Sequence, residues 1–90
     1  MLENEVERYL MKRVKEAGGR TRKLRYIGRR DCPDRLVLLP LAFALVECKR
    51  PGAKLRRGQA REVLILKASG IKVYCLDSKY DVDSFMAIYA

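Results

Sequence analysis

Apolar residues recur at Leu2, Val6, Leu10, Val14 and Ala17, the spacing of one helix face, and the run closes at Gly18-Gly19. This pattern predicts an amphipathic opening helix. Residues 20–27, "RTRKLRYI", mix β-formers with basic side chains and read as an exposed or edge strand leading into the "GRRDCP" loop. "DRLVLLP" and "AFALVECK" are apolar and β-rich, two buried strands joined by a turn near Pro40. "RPGAKLRRG" is a basic loop broken by Pro51, Gly52 and Gly58, after which Gln59 to Ser69 predict a strongly apolar helix closed by Gly70. "IKVYCL" is a further strand, and "DSKYDVDSFMAIYA" places capping Asp and Ser residues ahead of a short C-terminal helix. The predicted order is helix, three strands, helix, strand, helix. A helix between the third and fourth strands permits a right-handed crossover, so an α/β fold is expected, with a mixed sheet flanked by helices. Residues 1–90 contain no repeat, linker or low-complexity tract and are expected to form a single domain.

Charge narrows the partners. Twenty Lys and Arg against eleven Asp and Glu give a formal charge of +9, which points to a polyanion, with nucleic acid ahead of a membrane surface. A merely solvated basic surface is the alternative. The chain has no histidine, which excludes Ser/His and Cys/His nucleophile pairs and any histidine-ligated metal. Cys32, Cys48 and Cys75 are odd in number and lack CxxC spacing, so neither a disulfide scaffold nor a zinc site is suggested. There is no signal-like N-terminus and no apolar run long enough to cross a bilayer, so a reduced, cytosolic setting is expected without a membrane partner. Catalysis, if present, rests on carboxylates, lysines and a hard cation, with no small-molecule cofactor.

The charged residues at the strand ends carry the chemistry. Alternation along a strand puts Phe43, Leu45, Glu47 and Lys49 on one side and Ala44, Val46 and Cys48 on the other. An antiparallel hairpin turning between Leu39 and Ala42 brings Asp34 opposite Glu47 and Lys49 at its open end. Two carboxylates at close range repel unless a cation lies between them, and Mg²⁺ takes one or two carboxylates together with water and substrate phosphate. Asp34, Glu47 and the backbone carbonyl of Cys48 are the candidate ligands, with Lys49 acting on water or phosphate, and the reaction expected of such a group is hydrolysis of a nucleic-acid backbone. The alternative is a surface Glu47–Lys49 ion pair, with Asp34 as a turn residue after Pro33.

Gln59 shares a helix face with Val63 and Leu66. Its amide seeks a partner in the lysine, the reacting water or the scissile phosphate, unless it stays in water at the helix end. On the opening helix Glu3 falls inside the apolar stripe, Glu7 at its edge and Glu5 away from it, so Glu3 is the residue expected to approach the site. Arg13 also falls in that stripe, and a favourable charge near a helix N-terminus accounts equally well for Glu3. The basic residues Arg20, Arg22, Lys23, Arg25, Arg29, Arg30, Arg35, Lys54, Arg56 and Arg57 flank the acids in sequence and are candidates to grip phosphates on either side of the cleaved bond.

Pro33-Asp34 followed by Glu47-x-Lys49 across an apolar strand resembles the PD-(D/E)xK nuclease superfamily. Glu3, Gly18-Gly19, Pro33-Asp34-Arg35, Glu47-Cys48-Lys49, Pro51-Gly52 and Gln59 together resemble its virus-type replication-repair nuclease (VRR-Nuc) domain over nearly the whole chain. Two positions depart from that pattern: Asp31 stands where a glycine is common before the PD pair, and "PLAF" stands where the strand turn usually carries Gly or Asn. The resemblance implies a restriction-endonuclease-like core and Mg²⁺-dependent endonuclease activity on DNA, with Mn²⁺ able to substitute. It further implies the repair-type substrates of small phage-encoded members that are similar to Holliday-junction resolvases, in the host cytosol. A four-way junction needs paired cuts, so a homodimer is expected. No feature of the sequence excludes RNA, and a non-catalytic basic nucleic-acid-binding module is the competing reading.

Overall fold

Val6, Leu10 and Val14 lie on one side of a helix and are fully buried, each contributing roughly 1.5–3 kcal/mol by leaving water. In the computed structural model, which describes residues 2–89, that helix is α1, Glu3–Glu16. It ends because Gly18 takes φ +83, its N–H bonding the Lys15 carbonyl while the Gly19 N–H bonds that of Val14. Gly19 has a second reason to lack a side chain: a Cβ there would collide with the Leu38 carbonyl.

The chain continues as β1 (Arg20–Lys23), β2 (Arg35–Leu39), β3 (Ala42–Cys48), α2 (Arg57–Ala68), β4 (Val73–Leu76) and α3 (Lys79–Ile88). The sheet order is β1-β2-β3-β4, antiparallel across the first three strands and parallel between β3 and β4, which α2 connects. This is the expected mixed sheet with flanking helices, the layout of a restriction-endonuclease-like fold. Val37, Ala44, Val46, Cys48 and Leu76 meet α1 and the α3 residues Val82, Phe85 and Met86 in one core. On the opposite face α2 lies against β4 and buries Val63, while Leu64 and Ile65 stay exposed.

The first strand is shorter than the sequence predicts. Pairing stops after Lys23; the Leu24 N–H bonds the Asp34 carbonyl at 3.0 Å and closes a loop over residues 25–33. Both departures from the family pattern turn out to be left-handed: Asp31 has φ +69 and Leu41, in the β2–β3 turn, has φ +62. Glycine or asparagine suits that conformation, and a branched apolar residue such as Leu41 is strained in it. Among the described residues no helix is long and apolar enough to cross a membrane.

Candidate active site

Register places the acids. Arg35 pairs with Val46, so one step outward along the antiparallel ladder sets Asp34 against Glu47 at the open end of the hairpin, on one face of the sheet. Asp34 is fixed there by its Oδ2, which accepts the Cys48 N–H at 2.7 Å. The Lys49 N–H in turn bonds the Leu76 carbonyl at 2.9 Å, so the end of β3 is held on both sides through its own backbone donors.

Glu47 is only 3% exposed. Burial first, and the Asp34 carboxylate second, push it up to about 8, with Glu3 adding to the rise and Lys49 opposing it. Asp34, Lys49 and Glu3 therefore all act on the Glu47 carboxyl, although Glu3 is exposed on the first turn of α1. The Cys48 thiol lies in the core on the other face, and burial raises it to about 12, leaving only its backbone for the site.

The donor set suits a hard cation. Among the described residues no three acid, thiol or imidazole groups converge as a ready-made cage. Two adjacent carboxylates plus the Cys48 carbonyl are the complement that Mg²⁺ uses when it keeps several waters for substrate phosphate to displace. A carboxyl whose proton is retained first through burial and second through a like-charged neighbour is a site whose ionised form a cation would stabilise.

Gln59 is 6% exposed, and its amide oxygen accepts the Arg56 N–H at 2.9 Å. The amide thus caps the start of α2, a partner the sequence reading did not consider. Glu7 is more engaged than its edge position suggested: it accepts from Arg35 Nε at 2.9 Å and faces Lys23 Nζ at 3.5 Å. The Arg35 side chain is 15% exposed, so its charge ties α1 to the strand that begins beside Asp34. Arg29 pairs with Glu62 at 3.6 Å and Arg56 with Asp31 at 3.5 Å. Arg20, Arg22, Arg25, Arg30, Lys54 and Arg57 are exposed on the surface.

Glu62 escaped the sequence reading. It is buried on α2, and its Oε2 accepts the Tyr26 hydroxyl at 2.5 Å; burial, then this bond, raises the Tyr26 phenol above its ordinary value. Its spacing of three from Gln59 on the helix was the available signal.

No protein-family model matches the chain. A protein of Acyrthosiphon pisum secondary endosymbiont phage 1, "Putative nuclease p44", is 42% identical over 85 residues, covering 93% of this chain and 90% of its own length. A solved structure described as a VRR_NUC domain superposes with a TM-score of 0.90 at 34% identity, over 98% of this chain and 97% of that one. With this fold, this arrangement of acids and relatives matching end to end, the chain belongs to the VRR-Nuc family.

Proposed function

We propose that the chain is a Mg²⁺-dependent endodeoxyribonuclease that selects branched DNA, working as a homodimer in the cytoplasm. The observation that carries this reading is the pairing of Asp34 with a buried Glu47 at the end of β3, one residue from Cys48 and two from Lys49. A phage relative named as a nuclease supports the activity class and a phage-type setting.

Asp34, Glu47 and the Cys48 carbonyl would hold the Mg²⁺, which supplies a lowered pKa for an attacking water and charge neutralisation on the phosphodiester. Asp34 is oriented for this by the Cys48 N–H before any ligand arrives. Lys49, half-buried at the strand end, presents a compact positive charge to the same phosphate and stabilises the charge that grows as the P–O bond breaks. The exposed arginines and lysines outside the site supply sequence-independent grip on the DNA backbone.

A junction is a two-fold object, and two copies related by a two-fold axis offer two sites for opposing strands. Leu64, Ile65 and Ile88 are exposed apolar material for such contacts. The test is a panel of four-way, linear and single-stranded DNA, with Mg²⁺ and with chelator, run beside light scattering at micromolar protein. The reading expects paired nicks in the junction, only with metal, from a dimer. Binding without cleavage on every substrate would establish a non-catalytic module instead.

A further inference from the structure

The loop over residues 25–33 carries at its tip an isoleucine that touches nothing. Ile27 is 99% exposed, and the chain turns back directly behind it at Gly28, φ +75. Single exposed apolar residues are ordinary on protein surfaces, and Leu41 is one of them, at the turn that closes the opposite end of the hairpin from Asp34. Ile27 differs in what surrounds and holds it.

The loop is pinned to α2 on both sides of its tip. Before the tip, Tyr26 donates its hydroxyl to the buried Glu62 at 2.5 Å; after it, Arg29 faces the same carboxylate at 3.6 Å. Further on, the Asp31 carboxylate rests where a side chain on Gly58 would stand and pairs with Arg56 at 3.5 Å. A loop acid meets a base at the N-cap of α2, and a helix acid meets loop donors. The tip is thus presented in advance, so less ordering entropy opposes its use in binding.

Around the tip are cations. Arg25 and Arg30 lie within three residues of Ile27 and are exposed. From Ile27 to Asp34 the chain spans at most about 25 Å, less than one turn of duplex. An apolar side chain standing out among arginines, on a stiff loop that leads into the candidate catalytic acid, matches one ligand chemistry. Phosphates take the guanidiniums, and the apolar group enters between two bases, as wedge residues do in proteins that kink DNA.

We propose that Ile27 is a DNA wedge that inserts at a base step beside the cleaved bond, opening the stack, with Tyr26 and Glu62 as positioning residues for it. This rests on the nuclease reading and deepens it. Branched DNA is preferred because its stack is already interrupted, so the wedge enters without the penalty of unstacking a paired step.

The test compares the wild-type chain with Ile27→Ser and Ile27→Leu; the side chain is solvent-exposed, so folding is unaffected. In chelator, 2-aminopurine placed at a fully paired step within a linear duplex reports unstacking on binding. Fluorescence rises with wild type and Ile27→Leu and does not rise with Ile27→Ser. With Mg²⁺, Ile27→Ser loses roughly tenfold in cleavage of paired duplex, and a two-base mismatch walked across the cleavage position restores its rate to near wild type. Unchanged fluorescence and cleavage in Ile27→Ser overturn the wedge, as does a loss that no mismatch rescues. If wild type cuts no DNA at all, the nuclease reading falls while the fluorescence measurement still decides the wedge.

Discussion

Replacing Glu47 by glutamine should make the metal-free protein more stable above neutral pH, by an amount the site's electrostatics set. Below the ordinary value of 4.5, folded and unfolded chains both hold the Glu47 proton. Between 4.5 and about 8 the folded chain keeps it and the unfolded chain releases it. Unfolding therefore releases a proton in that window, and wild-type stability falls as pH rises through it, then levels off above pH 8. The displacement is worth at most about 5 kcal/mol at 1.36 kcal/mol per pH unit. The effective dielectric at buried protein sites lies well above that of a dry interior and lowers this, so on the order of 2 kcal/mol is expected. The glutamine of Glu47→Gln has no such proton and keeps the side-chain volume. Urea unfolding of both proteins from pH 5 to 9 in chelator should give curves that diverge steadily to pH 8, the variant becoming the more stable. Adding Mg²⁺ should restore the wild type above pH 7 and leave the variant unmoved. Parallel pH profiles, or equal stabilisation of both proteins by Mg²⁺, would refute the reasoning.

Other outcomes follow from particular residues. Leu41→Asn relieves a left-handed conformation at a fully exposed position and should stabilise by about 1 kcal/mol in urea titrations, with cleavage unchanged. Arg35→Ala should destabilise by roughly 1 kcal/mol, because the part-buried Glu7 is left with Lys23 as its cationic partner, and cleavage should fall modestly because α1, which carries Glu3, loses a polar contact to β2. Lys54→Ala should leave stability alone and flatten the dependence of log affinity on log salt by about 0.9, the loss of one phosphate contact.

Much of the architecture is legible in the chain because it is written in periods. A stripe repeating every three or four residues gave α1, and alternation along residues 42–49 put Glu47 and Lys49 on one face with Cys48 turned to the core. A short hairpin turn then determined which residue faces Glu47, since register follows from where the chain reverses. What periodicity does not contain is contact between distant segments. Tyr26 and Glu62 meet across 36 positions and Arg35 and Glu7 across 28, and neither pair has a local signature. The strand read over residues 20–27 stops early because Leu24 is paired to Asp34 while the next residues leave the ladder to reach α2. Tertiary contacts there outweigh the β propensity of Tyr26 and Ile27. Gln59 lies on the expected face of α2, and what its sequence position does not reveal is that its amide oxygen accepts a backbone N–H three residues earlier.

The central claim is that Asp34, Glu47 and Lys49 form one metal-dependent phosphodiesterase centre, and single-turnover cleavage of an end-labelled four-way junction tests it most directly. Wild type and Asp34→Asn are compared at saturating protein with Mg²⁺, with junction binding measured in parallel. The account predicts cleavage by the wild type that stops in chelator. It predicts a loss of at least about 100-fold in Asp34→Asn, with junction affinity within about threefold because the phosphate contacts are untouched. Wild-type cleavage in chelator, or an Asp34→Asn protein that cuts at the wild-type rate, would contradict it.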